Sequence, residues 1–401
     1  MASTPMKSLP GDVLIDILTR LPVKSILRFK SVSKHWSTLP TTPQFVAAHL
    51  RRSSADNPLL IVHHGFTLGN LRLSVYDAEL ATTLHPDLKF PVESFNEFSP
   101  SVVGSCNGLV CIEFDTTGFL LWNPAMRQHA WLPVVDLRSP YRSRETRFVA
   151  ICESFGFGFS GRVEDYKVVK FASFFDEDWK REDQVIWENL EVKAVVFSWK
   201  SWSWKELRDA RIPVASYGHQ VAANGHLYWL GTGKGKKDFV LAFDLASDSF
   251  WTIDLPDHNP HTPPPARSSV AVFRSCLTRH HRTLYGGDDL DVVVIGENGE
   301  DMKGTLWEYI CRHGWFDGKN EDRETEHYCR GYWNNGVQVM RRRGRNMDDL
   351  YLFDPESGAI RQFDGLMIRV YDVCSFVHSL VPVRGNEHHC RTIMTPARWS
   401  F

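Results

Sequence analysis

The sequence predicts an α+β multidomain protein: a small all-α unit at the N-terminus, followed by a mainly-β, propeller-like domain. Over residues 9–50, apolar residues recur at helical spacing. From residue 59 onward they come instead in short β-branched and aromatic runs, separated by Gly, Asn, Asp and Pro. The length of 401 residues also favours about two domains, because a single hydrophobic core rarely grows that large.

The composition is that of a folded soluble protein, with 43% hydrophobic and 23% charged residues and a net charge of −2. No run of about 18 apolar residues occurs, so we expect no membrane-spanning helix. The first twelve residues, MASTPMKSLPGD, lack the apolar core of a secretory signal. Eight scattered cysteines form no disulfide framework, so we expect reduced thiols and a cytoplasmic and/or nuclear protein.

Charge is unevenly distributed along the chain. Residues 1–52 hold eight lysines and arginines against two aspartates, a net charge of +6 that leaves −8 for the remainder. A basic N-terminal unit indicates an acidic partner, either a nucleic acid or an acidic protein. Nucleic acid is the less favoured of the two, because the basic residues alternate with core positions, no recognition helix stands out and the remainder is acidic.

The N-terminal unit is predicted to contain four helices. The first carries an apolar stripe made by Val13, Leu14, Ile17, Leu18 and Leu21. Pro22 ends that helix and suits the first turn of a second, whose apolar residues are Val23, Ile26, Leu27 and Phe29. A third stretch runs through Val32, Trp36 and Leu39, and Thr42-Pro43 has the capping residues of a fourth.

Such a unit is too small to bury its own apolar surface, because about 45 residues rarely form a stable core alone. Part of the apolar stripe must therefore be covered by another surface. Either the rest of the same chain covers it, or it is a docking surface for a separate partner, with apolar anchors ringed by lysine and arginine.

Residues 9–50 resemble an F-box of the plant type. The resemblance is carried by Leu9-Pro10, the stripe of the first helix, Leu21-Pro22-Val23, Val32-Ser33 and Trp36. It implies docking onto the acidic Skp-type adapter of cullin–RING ubiquitin ligases and, through it, association with the cullin and RING subunits. The residues expected to contact the adapter are Leu9, Pro10, Val13, Ile17, Leu18, Leu21, Pro22, Val23, Leu27, Val32 and Trp36.

The remainder of the chain predicts many strands. The runs are 59–64, 108–114, 119–124, 166–174, 193–199, 226–231, 239–245, 290–296, 305–310 and 348–354. Segments 107–133, 224–256 and 335–363 share one pattern, in which Asn-Gly precedes a strand, a turn and an aromatic-rich second strand. Repeated sheets of this kind favour a propeller over a sandwich, because radial repetition protects the edge strands.

This part of the chain resembles the F-box-associated, kelch-like propeller domains of plant F-box proteins. The segments that carry the resemblance include GSCNGLVC (104–111), LLWNPAMRQHAWLP (120–133), GFGFS (156–160), NGHLYWL (224–230) and YDVCSFVHSL (371–380). The resemblance implies that this domain holds a target protein. The expected organisation is an F-box at 5–50, a short connection at 51–60 and the F-box-associated domain at 61–401, with the number of blades left open.

Candidate enzyme and metal motifs are weak. The glycines of 231–235 lack the Gly-Lys-Ser/Thr spacing of a phosphate-binding loop. His280-His281 and His388-His389-Cys390 have metal-binding side chains, but no Cys-x₂-Cys pair accompanies them. We therefore expect no metal, no cofactor and no catalytic residue.

The sequence thus predicts a substrate-recognition subunit of an SCF-type ubiquitin ligase, which recruits a target protein for ubiquitination and proteasomal degradation. The target and its binding residues stay unidentified. The alternative is a propeller that binds glycans or acts as an enzyme and carries a vestigial F-box. Aromatic and carboxylate side chains are abundant enough to permit it.

Overall fold

The computed structural model describes residues 10–56, 59–65, 71–77, 82–88, 100–114, 118–135, 137, 148–176, 191–208, 210, 212–213, 216–232, 238–254, 267–273, 276–282, 326–333, 337–343, 348–353, 359–363 and 369–383. Among these residues, no helix combines the length and the hydropathy that a bilayer span needs. The predicted strands at 290–296 and 305–310 lie outside the described residues.

Four helices form the N-terminal unit, as predicted. They are α1 (Gly11–Thr19), α2 (Val23–Phe29), α3 (Lys34–Thr38) and α4 (Pro43–Asp56), with a 3₁₀ turn at Leu39–Thr41 before α4. The backbone N–H of Phe45 donates to the Thr42 hydroxyl, at 3.4 Å, so Thr42 caps α4 as its sequence position indicates. Residues 51–56, expected as part of a connection, are the last turns of α4, and the first strand begins at Leu59.

The rest of the described chain forms antiparallel sheets. The first contains β1 (Leu59–Gly65), β2 (Leu71–Asp77) and β3 (Thr82–Leu88), and the last strand, β22 (Arg369–Phe376), pairs with β1. The second contains β4 (Ser101–Cys106), β5 (Leu109–Phe114), β6 (Gly118–Asn123) and β7 (Gln128–Trp131). The third contains β8 (Phe148–Ser160), β9 (Asp165–Asp176), β10 (Glu191–Ser198) and β11 (Ser203–Glu206).

Three further sheets follow. The fourth contains β12 (Ser216–Ala223), β13 (His226–Thr232), β14 (Asp238–Asp244) and β15 (Ser249–Asp254). The fifth has two described strands, β16 (Arg267–Phe273) and β17 (Cys276–Arg282). The sixth contains β18 (Glu326–Trp333), β19 (Val337–Arg343), β20 (Asp348–Phe353) and β21 (Ile360–Gln362).

The six sheets are the blades of a closed ring. Strands β4, β8, β12, β16, β18 and β22 are the inner strands, and each contacts the inner strand of the next blade, with β22 returning to β4. The ring is closed by β22, which pairs with β1 in a register that places Phe376 opposite Leu59. The propeller-like prediction is therefore confirmed, and the described residues form six blades, a number that the sequence left open.

Glycines on β8 allow the third and fourth blades to pack closely. A Cβ atom at Gly156 would lie 2.5 Å from Cζ2 of Trp229, and one at Gly158 would lie 2.8 Å from Cδ1 of Leu245. The indole N–H of Trp229 donates to the Phe155 carbonyl at 2.8 Å, which fixes the ring in this position. The GFGFS segment is thus a contact surface for the neighbouring blade.

The ring has two distinct faces because turns alternate between the ends of an antiparallel sheet. The β4–β5 turn and the start of β9 lie on the same face, where the Asn107 side-chain amide donates to the Tyr166 hydroxyl at 3.1 Å. That face also carries the helices, since Val46 and Leu50 of α4 pack against the cluster that includes Tyr166. The ends of β5, β9 and β13 point to the opposite face.

Candidate docking surface

The helical unit has a fully buried interior. Its buried apolar cluster contains Leu18 and Val23, each 3% exposed, with Ile26, Phe45 and, from the far end of the chain, Leu380. Partly buried residues surround them: Leu14, Leu21, Leu27, Phe29, Trp36, Leu39, Val46 and Ala125. The chain itself therefore covers one side of the apolar stripe, which is one of the two alternatives that the sequence left open.

The other side of the stripe stays exposed. Val13 and Ile17, which lie one turn apart on α1, are 40% and 43% exposed, and Val32 after α2 is 65% exposed. Pro10 and Pro22 at the starts of α1 and α2 are exposed as well. We call Pro10, Val13, Ile17, Pro22 and Val32 the outer face. Exposed apolar side chains on so small a unit are typical of a protein-docking surface.

The structure thus divides the eleven sequence-predicted contact residues. Five form the outer face, and Leu18 and Val23 lie in the interior, where they support the helices from within. Three more, Leu21, Leu27 and Trp36, are half-buried against this interior. The Trp36 ring meets the Phe29 ring edge-on, with ring centroids 5.3 Å apart. Leu9 lies outside the described residues. Ile15, 38% exposed, was not predicted, because it lies off the apolar stripe of α1.

Exposed basic side chains lie on the two helices that follow α1. Lys24 and Arg28 on α2 and Lys34 on α3 are exposed. Two other arginines are held by Asp16, which binds Arg20 at 2.7 Å and Arg52 of α4 at 3.4 Å. Exposed apolar residues flanked by lysine and arginine complement an acidic protein surface, which is the partner that the charge distribution predicted.

His49 ties α4 to the end of α1. Its ring is buried, and because the Leu21 carbonyl can only accept, Nε2 carries the proton and donates to it at 3.0 Å. In the neutral ring Nδ1 is then the acceptor for the Ser53 hydroxyl, at 3.3 Å. Burial lowers the pKa of His49, so the neutral form that makes both bonds is favoured.

Metal-binding side chains and thiols were candidates for a reactive site. No group of three or more metal-binding side chains occurs among them; His280 and His281 lie on β17, and residues 388–390 are outside the described ranges. Cys106, Cys111 and Cys374 are not in disulfide bonds. Burial raises the pKa of Cys106 to about 12 and that of Cys111 well above its usual value, so neither thiol is a ready nucleophile.

A shallow cleft of about 340 Å³ lies beside β11 and β15, lined by Leu207, Phe250, Lys205, Arg208 and Asp248 among others. The Asp248 carboxylate is already engaged there. It binds the buried Lys167 ammonium and, at 3.2 Å, the ammonium of Lys205. These two ion pairs link the third and fourth blades.

Two family matches cover the two parts of the chain. Residues 6–46 match the F-box domain, and residues 64–383 match the F-box associated beta propeller domain. Among curated relatives, F-box protein CPR1 of Arabidopsis thaliana is 26% identical over 288 residues, which is 68% of this chain and 66% of the relative. F-box/kelch-repeat protein At3g23880 of Arabidopsis thaliana is 27% identical over 313 residues, covering 73% and 77%.

F-box protein At3g07870 of Arabidopsis thaliana is 29% identical, over 63% of this chain and 61% of the relative. The chain thus spans somewhat less than two thirds of the length of CPR1 and At3g07870. Among solved structures, TolB from Acinetobacter baumannii aligns with a TM-score of 0.41 and 7% identity, covering 84% of this chain and 73% of TolB. Because the propeller match alone spans most of the chain, the chain belongs to the F-box proteins that carry an F-box associated beta propeller domain.

Proposed function

We propose that this protein is the target-recognition subunit of an SCF-type ubiquitin ligase. The observation that carries the proposal is that the helical unit has one buried apolar side and one exposed apolar side. Its inner side is buried among the helices and against Leu380 and Ala125, while Val13, Ile17 and Val32 stay exposed. An apolar surface that folding leaves uncovered beside basic side chains fits an acidic Skp-type adapter.

The outer face would supply the apolar anchors of this interface. Val13 and Ile17 project from the same side of α1 and would enter an apolar groove of the adapter. Lys24, Arg28 and Lys34 would form the charged rim, which speeds association and adds modest affinity. The cullin and RING subunits would be reached through the adapter.

The target protein would bind the face of the ring opposite the helices. Phe114, Asp176 and Thr232 end their strands on that face. The sequence intervals that connect strands there include 177–190 and 255–266, which are longer than the two-residue Asn107-Gly108 and Asn224-Gly225 turns on the helical face. Longer connections on one end of a rigid scaffold are typical of binding surfaces.

In this function the protein contributes position and no reacting group. Binding adapter and target on one rigid body raises the effective concentration of target lysines near the ubiquitin-charged enzyme. The target would then be modified and degraded in the cytoplasm or the nucleus, where thiols such as Cys106, Cys111 and Cys374 stay reduced.

Co-expression with a plant Skp-type adapter, followed by purification and native mass measurement, tests the proposal. We expect a stable one-to-one complex, because the outer face offers one docking surface per chain. Ubiquitin transfer in a reconstituted ligase should then depend on that complex.

The alternative function, a glycan-binding or enzymatic propeller with a vestigial F-box, makes the opposite prediction for the same experiment. The chain would then purify as a monomer in the presence of the adapter, and a glycan or substrate screen on the propeller would give the binding signal. That combination would overturn the ligase proposal.

A further inference from the structure

Three of the segments that carry the family resemblance meet at one place, the junction between helices and ring. GSCNGLVC supplies the β4–β5 turn, LLWNPAMRQHAWLP supplies the β6–β7 turn, and YDVCSFVHSL supplies β22 and the residues just after it. We call residues 377–383, which follow the last strand, the closing segment. Nothing in the function proposed above requires these segments to come together.

The closing segment passes directly over the β4–β5 turn. Asn107 and Gly108 have φ values of 52° and 78°, the left-handed conformation of a two-residue hairpin turn. A Cβ atom at Gly108 would lie 2.7 Å from the Val377 carbonyl oxygen and 2.6 Å from Cβ of Ser379. Glycine is therefore required at 108 for two reasons, the backbone conformation and the approach of the closing segment.

Asn123, at the end of β6, forms hydrogen bonds to the closing segment. It is fully buried, and its side-chain N–H groups donate to the carbonyls of Ser379 at 3.2 Å and Val381 at 2.7 Å. Its Oδ1 accepts the N–H of Met126 at 3.1 Å, so both ends of the amide are used. A buried amide with such partners specifies one position for the segment.

Successive side chains of the closing segment pack on opposite sides. Leu380, 2% exposed, lies in the interior of the helical unit with Leu18 and Phe45. Val381 lies in the propeller cluster between the second and third blades. Val46 of α4 packs against both clusters, so the segment and α4 join the two interiors.

We infer that the closing segment is a structural part of the docking module: it completes the interior of the helical unit and fixes that unit on the ring. The inference has a functional consequence, which rests on the proposed function. Adapter binding by the N-terminal helices requires Leu380, which lies near the other end of the chain. Leu380 is a positioning residue, since it lies inside the helices and away from the outer face.

The physical reason is the small size of the helical unit. A unit of about 40 to 50 residues has little interior, so one buried leucine is a large share of it. Removing the Leu380 side chain to Cβ leaves a cavity beside α1, α2 and α4. The helices would then open locally while the blades, whose apolar clusters do not contain Leu380, stay folded.

The test compares Leu380→Ala with Val383→Ala in the full chain. Val383 belongs to the same segment but packs against the propeller cluster, so it is a matched control. Two readouts are needed, the affinity for a Skp-type adapter and the amide hydrogen exchange of helices and blades. Asn123→Leu, which removes the donor to the closing segment, provides a second variant, and Leu380→Met provides a conservative rescue.

We expect Leu380→Ala to weaken adapter binding about tenfold or more and to speed exchange in α1, α2 and α4, with the blades still protected. Val383→Ala should leave helix exchange and affinity unchanged, and Leu380→Met should restore both. Wild-type helix exchange in Leu380→Ala, or equal loss of protection in helices and blades, would overturn the inference. Failure of the wild-type chain to bind adapter would overturn the proposed function, while the exchange readout would still decide the role of Leu380.

Discussion

The Ile17→Glu variant is expected to lose adapter binding while its thermal unfolding stays that of the wild-type chain. Ile17 is 43% exposed, so a glutamate there can remain in water when the chain folds. In the complex the same carboxylate would be buried against an acidic partner. A central apolar anchor is worth about 2 kcal/mol or more, so affinity should fall about thirtyfold or further.

Substitution of the neighbouring Leu18 is expected to destabilise the helices, in contrast to Ile17→Glu. Leu18 is 3% exposed in the interior of the helices, so Leu18→Ala should destabilise the helical unit by about 2–5 kcal/mol. Loss of binding in this variant would accompany loss of helix protection. Isothermal titration with the adapter and circular dichroism melts distinguish the two cases.

Val134→Glu is the control for the added charge, because Val134 is 74% exposed on the propeller, away from the outer face. It should bind adapter like the wild-type chain. If Ile17→Glu also binds with wild-type affinity, the outer face is not the docking surface.

The Gly156→Ala variant is expected to destabilise the propeller by about 3 kcal/mol, the upper end of the usual overpacking cost. Its new Cβ would lie 2.5 Å from Trp229 Cζ2 and 2.8 Å from Leu227 Cδ1. Trp229 is fully buried and hydrogen-bonded to the Phe155 carbonyl, so it has no room to move. The third and fourth blades must therefore separate slightly or lose that hydrogen bond.

Gly161→Ala is the matched control, because nothing lies within 4 Å of a Cβ at Gly161. Urea unfolding followed by tryptophan fluorescence measures both variants. Equal midpoints for the two alanine variants would contradict close packing between these blades.

Much of the fold follows from local patterns. The spacing of Val13, Leu14, Ile17 and Leu18 predicts α1, and the runs at 59–64 and 226–231 predict β1 and β13 within a residue. Radial repetition of the Asn-Gly hairpins predicts a propeller. The number of blades could not be predicted, because only some of the blades carry that pattern clearly.

The candidate site was less predictable for a physical reason. Val13 and Ile17 belong to the same broad apolar stripe as Leu14 and Leu18, and the packing of α2, α4 and Leu380 against α1 decides which of them are buried. Leu380 could not be assigned to the helices, since nothing local in YDVCSFVHSL indicates a contact so distant in sequence. The one available signal was that Asn123 and Gly108 lie in segments that carry the family resemblance.

The most direct test of the account is amide hydrogen exchange of the full chain, alone and with a Skp-type adapter. We predict added protection in α1 and at residues 31–34, where the outer face lies, with the blades unchanged. Protection confined to the blades, or no change at saturating adapter, would contradict docking through the F-box helices.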